Sequence, residues 1–282
     1  AIDYQRSVVF IRGVYAAINA LKARFPDTPL EILYAGCGPF GTLLLPLLGR
    51  FSPGELKVYL LDFHQRSLDS VKLLLANFGF CAHAVQTVKA DACDYKHTGK
   101  LHLVIAEAMQ KSLEQEPQFA VTANLAPQLC PTGVFIPQRI DVSMCLADLE
   151  QEKELFGQSQ KIDSNGLEKS TPRYLVETVC TLIPEHAFDQ MQLAQTNSDG
   201  LRFELEPTIV VIPRMADIAG LDVALFTRIC VFGQYWLKDY ESQITLPLKC
   251  HELSPLAGGE RYRVSYQLGS YPKFHFERLN SK

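Results

Sequence analysis

The sequence predicts an α/β domain, built on a mainly parallel sheet with helices on both faces, followed by an antiparallel β domain of barrel or sandwich type. Three observations predict it. Short apolar runs alternate with segments of helical periodicity as far as residue 129, the pattern of parallel strands joined by crossover helices. A glycine turn, Gly36-x-Gly38-x-x-Gly41, stands between the first apolar run and a second apolar segment. After a polar stretch at 148–172 the chain becomes strand-rich, with clear alternation at 202–206 and 261–267. Residues 1–137 are therefore assigned to the α/β domain. Residues 138–282 are assigned to the β domain, with the polar stretch as a linker, exposed helix or arm.

Residues 4–25 read as an amphipathic helix, with Val8, Ile11, Tyr15, Ile18 and Leu21 on one face, ended by the stretch from Pro26 to Pro29. Leu30, Ile32, Leu33 and Ala35 make the first buried strand, and residues 42–48 read as the first turns of an apolar helix. Strand, glycine loop and helix together have the geometry of a nucleotide site: the glycines permit close backbone approach, and the helix start offers free N–H groups. The second strand, 57–63, ends on Asp62, 21 residues beyond Gly41. There an α/β nucleotide-binding unit places a carboxylate for ribose hydroxyls, although a capping or turn aspartate would look the same. A helix at 64–80, a strand at 83–89 with Asp91 just past it, and a strand at 101–106 followed at once by Glu107 come next. A helix is expected at 114–129, and a hairpin from 134–137 and 141–147. Asp62, Asp91 and Glu107 thus close three successive strands, at the sheet edge where such folds bind ligands.

Composition narrows the class. The 282 residues carry 27 basic and 31 acidic side chains, a net charge of −4, which argues against general affinity for nucleic acid or anionic membrane. No apolar run approaches the roughly 20 residues of a membrane span, and the N-terminal stretch does not read as a secretory signal. Eight cysteines are scattered without a C-x-x-C pair. Free thiols in a reducing cytoplasm are expected, rather than disulfides or zinc. The histidines show no metal spacing, and no metal is expected.

With these residues in place, the first half of the chain resembles the class I S-adenosylmethionine-dependent methyltransferases, and more narrowly the protein arginine methyltransferases, whose Rossmann-like domain is followed by a β-barrel. The segment Arg6-Ser7-Val8-Val9-Phe10 is similar to that family's R-T-x-x-Y helix. Ala106-Glu107-Ala108-Met109-Gln110, with Glu116 nine positions after Glu107, is similar to its fourth-strand segment with two glutamates. The resemblance implies S-adenosyl-L-methionine as cofactor. It places Arg6 on the cofactor carboxylate, Gly36 and Gly38 beneath the methionine part with Gly41 also in the cofactor loop, Asp62 on the ribose hydroxyls, and Asp91 with Ala92 near the adenine. Glu107, also beside the cofactor, and Glu116 become the paired carboxylates that hold the methyl acceptor, with Met109, Glu114, Tyr240 and Glu241 around it. The chain departs from the pattern in three places. Tyr34 stands where an acid usually precedes the glycines, and Phe40 stands at the usual third glycine. Asp239-Tyr240-Glu241 replaces a histidine-bearing T-H-W loop. The family's dimerisation arm would fall at 148–172, which leaves room for a homodimer.

Methyl transfer from a sulfonium is an in-line displacement, so the protein's task is alignment and exclusion of water. Two carboxylates could hold a cationic guanidino or amino group by charge-assisted hydrogen bonds and accept a proton. The plainer reading is that Glu114 and Glu116 are acids in the first turn of a helix. Three functions remain open at this point: N-methylation of a guanidino or amino group, on a peptide or a small molecule; N- or O-methylation of a small metabolite; and a non-catalytic, cofactor-binding partner protein. A nicotinamide-dependent oxidoreductase shares the glycine loop but lacks any second feature.

Overall fold

The computed structural model describes residues 3–158, 173–196, 203–215, 218–253 and 257–279. Helix α1, Tyr4–Arg24, leads into strand β1, Leu30–Ala35. Helix α2, Leu45–Leu48, follows the glycine loop. It is shorter than the expected 42–48, because Pro46 has no N–H to continue a helix begun earlier. Strand β2 is Leu56–Asp62, helix α3 Gln65–Asn77, strand β3 Ala84–Lys89 and strand β4 Leu101–Ala106. Helix α4 is Gln118–Leu125 and strand β5 is Leu129–Ile136. These strands form one parallel sheet in the order β3-β2-β1-β4-β5. The reversal of order beside β1 puts the glycine loop and the ends of β2 and β4 along one edge, where a ligand crevice forms.

Two expectations are corrected here. Residues 134–136 are no arm of a hairpin. They are buried on every position and pair in parallel with β4, as a continuous apolar run does inside a parallel sheet. The helix expected from 114 starts only at Gln118. Residues 107–117 form a loop in which Ser112, Leu113 and Gln115 all have positive φ.

Strand β6, Arg139–Ala147, opens the second half, followed by helix α5, Leu149–Gln158. Residues 159–172 of the expected arm lie outside the described residues. Strand β7, Arg173–Leu182, helix α6, Pro184–Gln192, and strands β8, Gln195–Thr196, β9, Phe203–Glu204, and β10, Thr208–Val211, come next. Strands β11, Asp222–Phe232, β12, Tyr235–Leu237, β13, Leu248–Lys249, β14, Arg261–Gln267, and β15, Lys273–Leu279, complete the chain. They make two antiparallel sheets, β12-β11-β6-β7 with β13 on β11, and β10-β14-β9-β8 with β15 on β14. Among the described residues no ladder joins the two sheets, so the barrel is not closed.

One buried apolar cluster crosses both halves. It runs from Phe10, Val14 and Ile18 of α1 through Ile32 and Tyr34 to Met144, Ile229, Val231, Val264 and Tyr266. A second cluster, with Leu33, Leu61, Val104 and Leu125, fills the other face of the parallel sheet. All eight cysteines are free; five are buried and Cys81 is exposed. Trp236 is 36% exposed on β12. No described helix is long and apolar enough to cross a membrane.

Candidate active site at the edge of the parallel sheet

The glycine loop is shaped by what it must approach. Gly36 has φ +76°, and a Cβ there would come within 3.0 Å of the Glu107 carbonyl oxygen. Gly38 has φ +61°, and a Cβ there would meet nothing within 4 Å, so its backbone opens onto free space. Gly41 is structural: a Cβ would overlap Leu45 Cδ1 at 2.5 Å. Asp62 ties the loop to the end of β2. Its Oδ2 accepts from the Gly38 N–H at 2.9 Å and its Oδ1 from the His64 N–H at 2.8 Å. The turn role and a ligand role are compatible, because each carboxylate oxygen keeps a lone pair.

Across the loop stands Glu107. Arg6 Nη1 lies 3.3 Å from its Oε1. Burial pushes the Glu107 carboxyl up to about 7, against the lowering effect of Arg6, and the charges of Glu116 and Asp3 push the same way as burial. Glu116 lies near enough for its charge to act on Glu107, and its Oε1 accepts from Gln110 Nε2 at 2.8 Å. Arg6 is the hub on the helix side: its Nε is buried with no hydrogen-bond partner, 3.7 Å from Asp3 Oδ2. Asp3 in turn accepts from Ser242 Oγ at 2.7 Å, which fastens the start of α1 to the β domain.

The remaining expected residues are placed differently. Asp91 stands past β3, its Oδ1 accepting from the Cys93 N–H at 2.8 Å, and the Ala92 carbonyl accepts from Asn124 Nδ2 at 3.0 Å. Asp91 lines a cleft of about 810 Å³ with Phe63, His64, Arg66 and Lys89. That cleft lies past the ends of β2 and β3, and neither Glu107 nor Glu116 lines it. Met109 is 2% exposed and belongs to the core. Glu114 faces the β domain, where its Oε1 accepts from the Phe274 N–H at 3.1 Å, and burial raises its carboxyl above the ordinary range. The Tyr240 hydroxyl donates to Glu152 Oε2 at 2.5 Å, and Glu241 Oε2 accepts from the Lys238 N–H at 2.7 Å. Both polar ends are thus engaged within the β domain.

Sequence reading missed Asp3, Gln110 and Ser242. Asp3 lies three residues before Arg6 and was legible as a helical i, i+3 pair. Ser242 meets Asp3 only through the fold, and nothing local marks it.

The sequence matches no protein-family model and no curated protein. Solved structures share its architecture. A chain of the Trypanosoma brucei PRMT1 enzyme-prozyme heterotetrameric complex with AdoHcy superposes with a TM-score of 0.54 at 13% identity, over 99% of this chain and 96% of that one. Arabidopsis thaliana protein arginine methyltransferase 10, in an open conformation, gives 0.54 at 13% identity over 94% and 85%. The chain has the fold of the protein arginine methyltransferases. At that identity the likeness speaks for the fold, a class I methyltransferase sheet with a β-rich second half. The arginine methyltransferase fold puts no activity on these residues by itself.

Proposed function

We propose that this chain is an S-adenosyl-L-methionine-dependent methyltransferase acting on a guanidino or amino nitrogen. The observation that carries the reading is the meeting of Arg6, Glu107 and Glu116 beside the glycine loop and Asp62. The donor set fits the cofactor. Arg6 Nε is buried and makes no hydrogen bond, its nearest acid being Asp3 at 3.7 Å, which leaves it suited to a carboxylate. Gly38 opens onto free space, and Asp62 retains acceptor capacity for ribose hydroxyls. Asp91 and Ala92 would flank the adenine at the adjoining cleft. When bound, the cofactor supplies a methyl group activated on a sulfonium.

The chain's own residues do the rest. Glu107 and Glu116 hold a cationic nitrogen group between two carboxylates and turn it toward the glycine loop. Glu107, pushed up to about 7, is suited to take the proton that the nitrogen sheds. An incoming cation favours the ionised form and prepares Glu107 for that step. Arg6 links the two functions, because one guanidinium faces both Glu107 and the place of the cofactor carboxylate.

Calorimetric titration of the purified protein with S-adenosylmethionine and S-adenosylhomocysteine, with NAD as control, tests the cofactor. Micromolar binding of the first two and none of NAD is expected; binding of neither removes the enzyme reading. Arginine-containing peptides, free arginine and small amines are then offered with labelled cofactor. Cofactor binding with no acceptor methylated, nitrogen or oxygen, would point instead to a binding-only partner protein.

A further inference from the structure

The loop that carries the two glutamates, residues 107–117, is strained at three places. Ser112, Leu113 and Gln115 have φ of 55°, 60° and 68°, a region that side chains other than glycine, asparagine and aspartate rarely adopt. Leu113 is fully buried there, at 0% exposure. Such a conformation persists only where the surroundings over-determine it. Each strained residue has its own partner, and every partner comes from the β domain. The Ser112 N–H donates to Thr227 Oγ1 of β11 at 3.2 Å. The Leu113 carbonyl accepts from the Tyr266 hydroxyl of β14 at 2.6 Å. The Gln115 N–H donates to the Pro272 carbonyl at 2.8 Å, just before β15. Thr227 and Tyr266 are 1% and 2% exposed, so neither hydroxyl has water as an alternative. The Tyr266 ring is braced in turn by Phe119 of α4 and Phe274 of β15, with ring centroids 6.0 and 5.1 Å away.

We infer that Thr227 and Tyr266 are positioning residues. Through Ser112 and Leu113 they lock the strained loop so that Glu107 and Glu116 face one another beside the glycine loop. The inference rests on the proposed role of that acid pair. It gives the β domain a specific task, to hold the paired carboxylates of the parallel-sheet domain in register. Without the two hydroxyls the loop relaxes toward ordinary backbone angles. More water then reaches Glu107, whose side chain is 13% exposed in the locked loop, and Glu116 moves relative to it.

Glu107 itself reports the lock. Its carboxyl is governed by burial, by Arg6, and by the charges of Glu116 and Asp3, all of which depend on loop position. Carbon-detected NMR titration of protein labelled at glutamate carboxyls follows it, the signal being assigned by its absence in Glu107→Gln. Tyr266→Phe and Thr227→Val are expected to lower the Glu107 midpoint by about one pH unit or more, toward the ordinary carboxyl range. Thr227→Ser, which keeps the hydroxyl, is expected to restore it. Tyr262→Phe is the control: that tyrosine lies on the same strand, but its hydroxyl donates to Glu260. It is expected to leave the midpoint in place whatever it does to stability. Folded Tyr266→Phe or Thr227→Val protein with an unmoved Glu107 midpoint overturns the inference. Should Tyr266→Phe not fold, the Thr227 pair of variants decides alone. Titration of S-adenosylhomocysteine into the same samples keeps the two questions apart. Failure of the parent to bind it removes the cofactor reading, while a moved midpoint still shows the lock.

Discussion

At Glu107 the chain buries a carboxyl group beside a single guanidinium, and burial outweighs the pairing. The consequence for stability has a definite sign. The folded carboxyl titrates at about 7, above the ordinary value of 4.5, so the folded state prefers the protonated form. The stability this gives is complete below pH 4.5 and is lost as pH rises through 7. The ionised group then costs up to about 3 kcal/mol. Glu107→Gln carries no such cost. It is expected to unfold at higher denaturant than the parent at pH 9 and at nearly the same denaturant at pH 4, read by urea titration at the two values. Asp62 is the opposite kind of residue. Its carboxylate accepts two backbone N–H bonds from the glycine loop and the start of α3, so Asp62→Ala leaves two donors short. A loss of about 2 kcal/mol is expected, together with weaker cofactor binding by calorimetry. Asp62→Asn, which keeps one acceptor, should lose less of both.

Helices α1 and α5 show what sequence periodicity carries and what it omits. Of the face read on α1, Ile18 and Leu21 are fully buried, but Val8 and Ile11 are half-buried and Tyr15 is exposed. The buried stripe runs through Phe10, Val14 and Ala17 instead, because α1 packs on β11 and β12 as well as on the parallel sheet, and the reason for Gly13 was not legible either. A Cβ at Gly13 would come within 2.5 Å of Val231 Cγ1, so this glycine is the contact at which α1 settles on β11. Gly13→Ala would stabilise an isolated helix, but here overpacking is expected to cost about 1–3 kcal/mol. It should also weaken cofactor binding, because Arg6 rides on the same helix; thermal melts and calorimetry check the two effects. Helix α5 reads from sequence as part of a polar stretch with little to bury. Instead Glu152 is 1% exposed and takes Arg173 by two bonds of 2.9 and 3.0 Å, while Arg173 stacks 3.8 Å from the Phe226 ring centroid and reaches Asp239. Charge pattern alone could not show this, since the partners lie 21 and 66 residues away from Arg173. Glu152→Ala is expected to cost about 3–5 kcal/mol, as removal of one member of a buried pair does. The glutamate loop was misread for a similar reason. Acids before a proline look like a helix start, and it is contacts from β11, β14 and the Pro272 carbonyl before β15 that hold Ser112, Leu113 and Gln115 at positive φ.

At the scale of the molecule the question is whether the parallel-sheet half and the β half are separate folding units. Their sequences differ in pattern, and a boundary at 137 follows from that difference. Their packing does not respect it. The main buried cluster contains Phe10, Ile32 and Ile105 from one side and Val142, Ile229 and Tyr266 from the other. Helix α1 lies against β11 and β12 as well as β4 and β5. The polar contacts cross in the same way, through Asp3 to Ser242, Ser112 to Thr227 and Leu113 to Tyr266. Neither half can expose its share of this surface without stranding the other. A single cooperative transition is therefore expected in place of two. Trp236, the one tryptophan of the chain, sits on β12 and reports the β half by fluorescence, while far-ultraviolet circular dichroism weights the helices of the first half. The two urea curves should coincide in midpoint and slope. S-adenosylhomocysteine, added at about 100 times its dissociation constant, should move both together by about 2.7 kcal/mol. A tryptophan transition that precedes the dichroism transition, or stays in place when ligand is added, would mean that the β half unfolds on its own. The glutamate loop would then lose its clamps well before the cofactor edge of the sheet came apart.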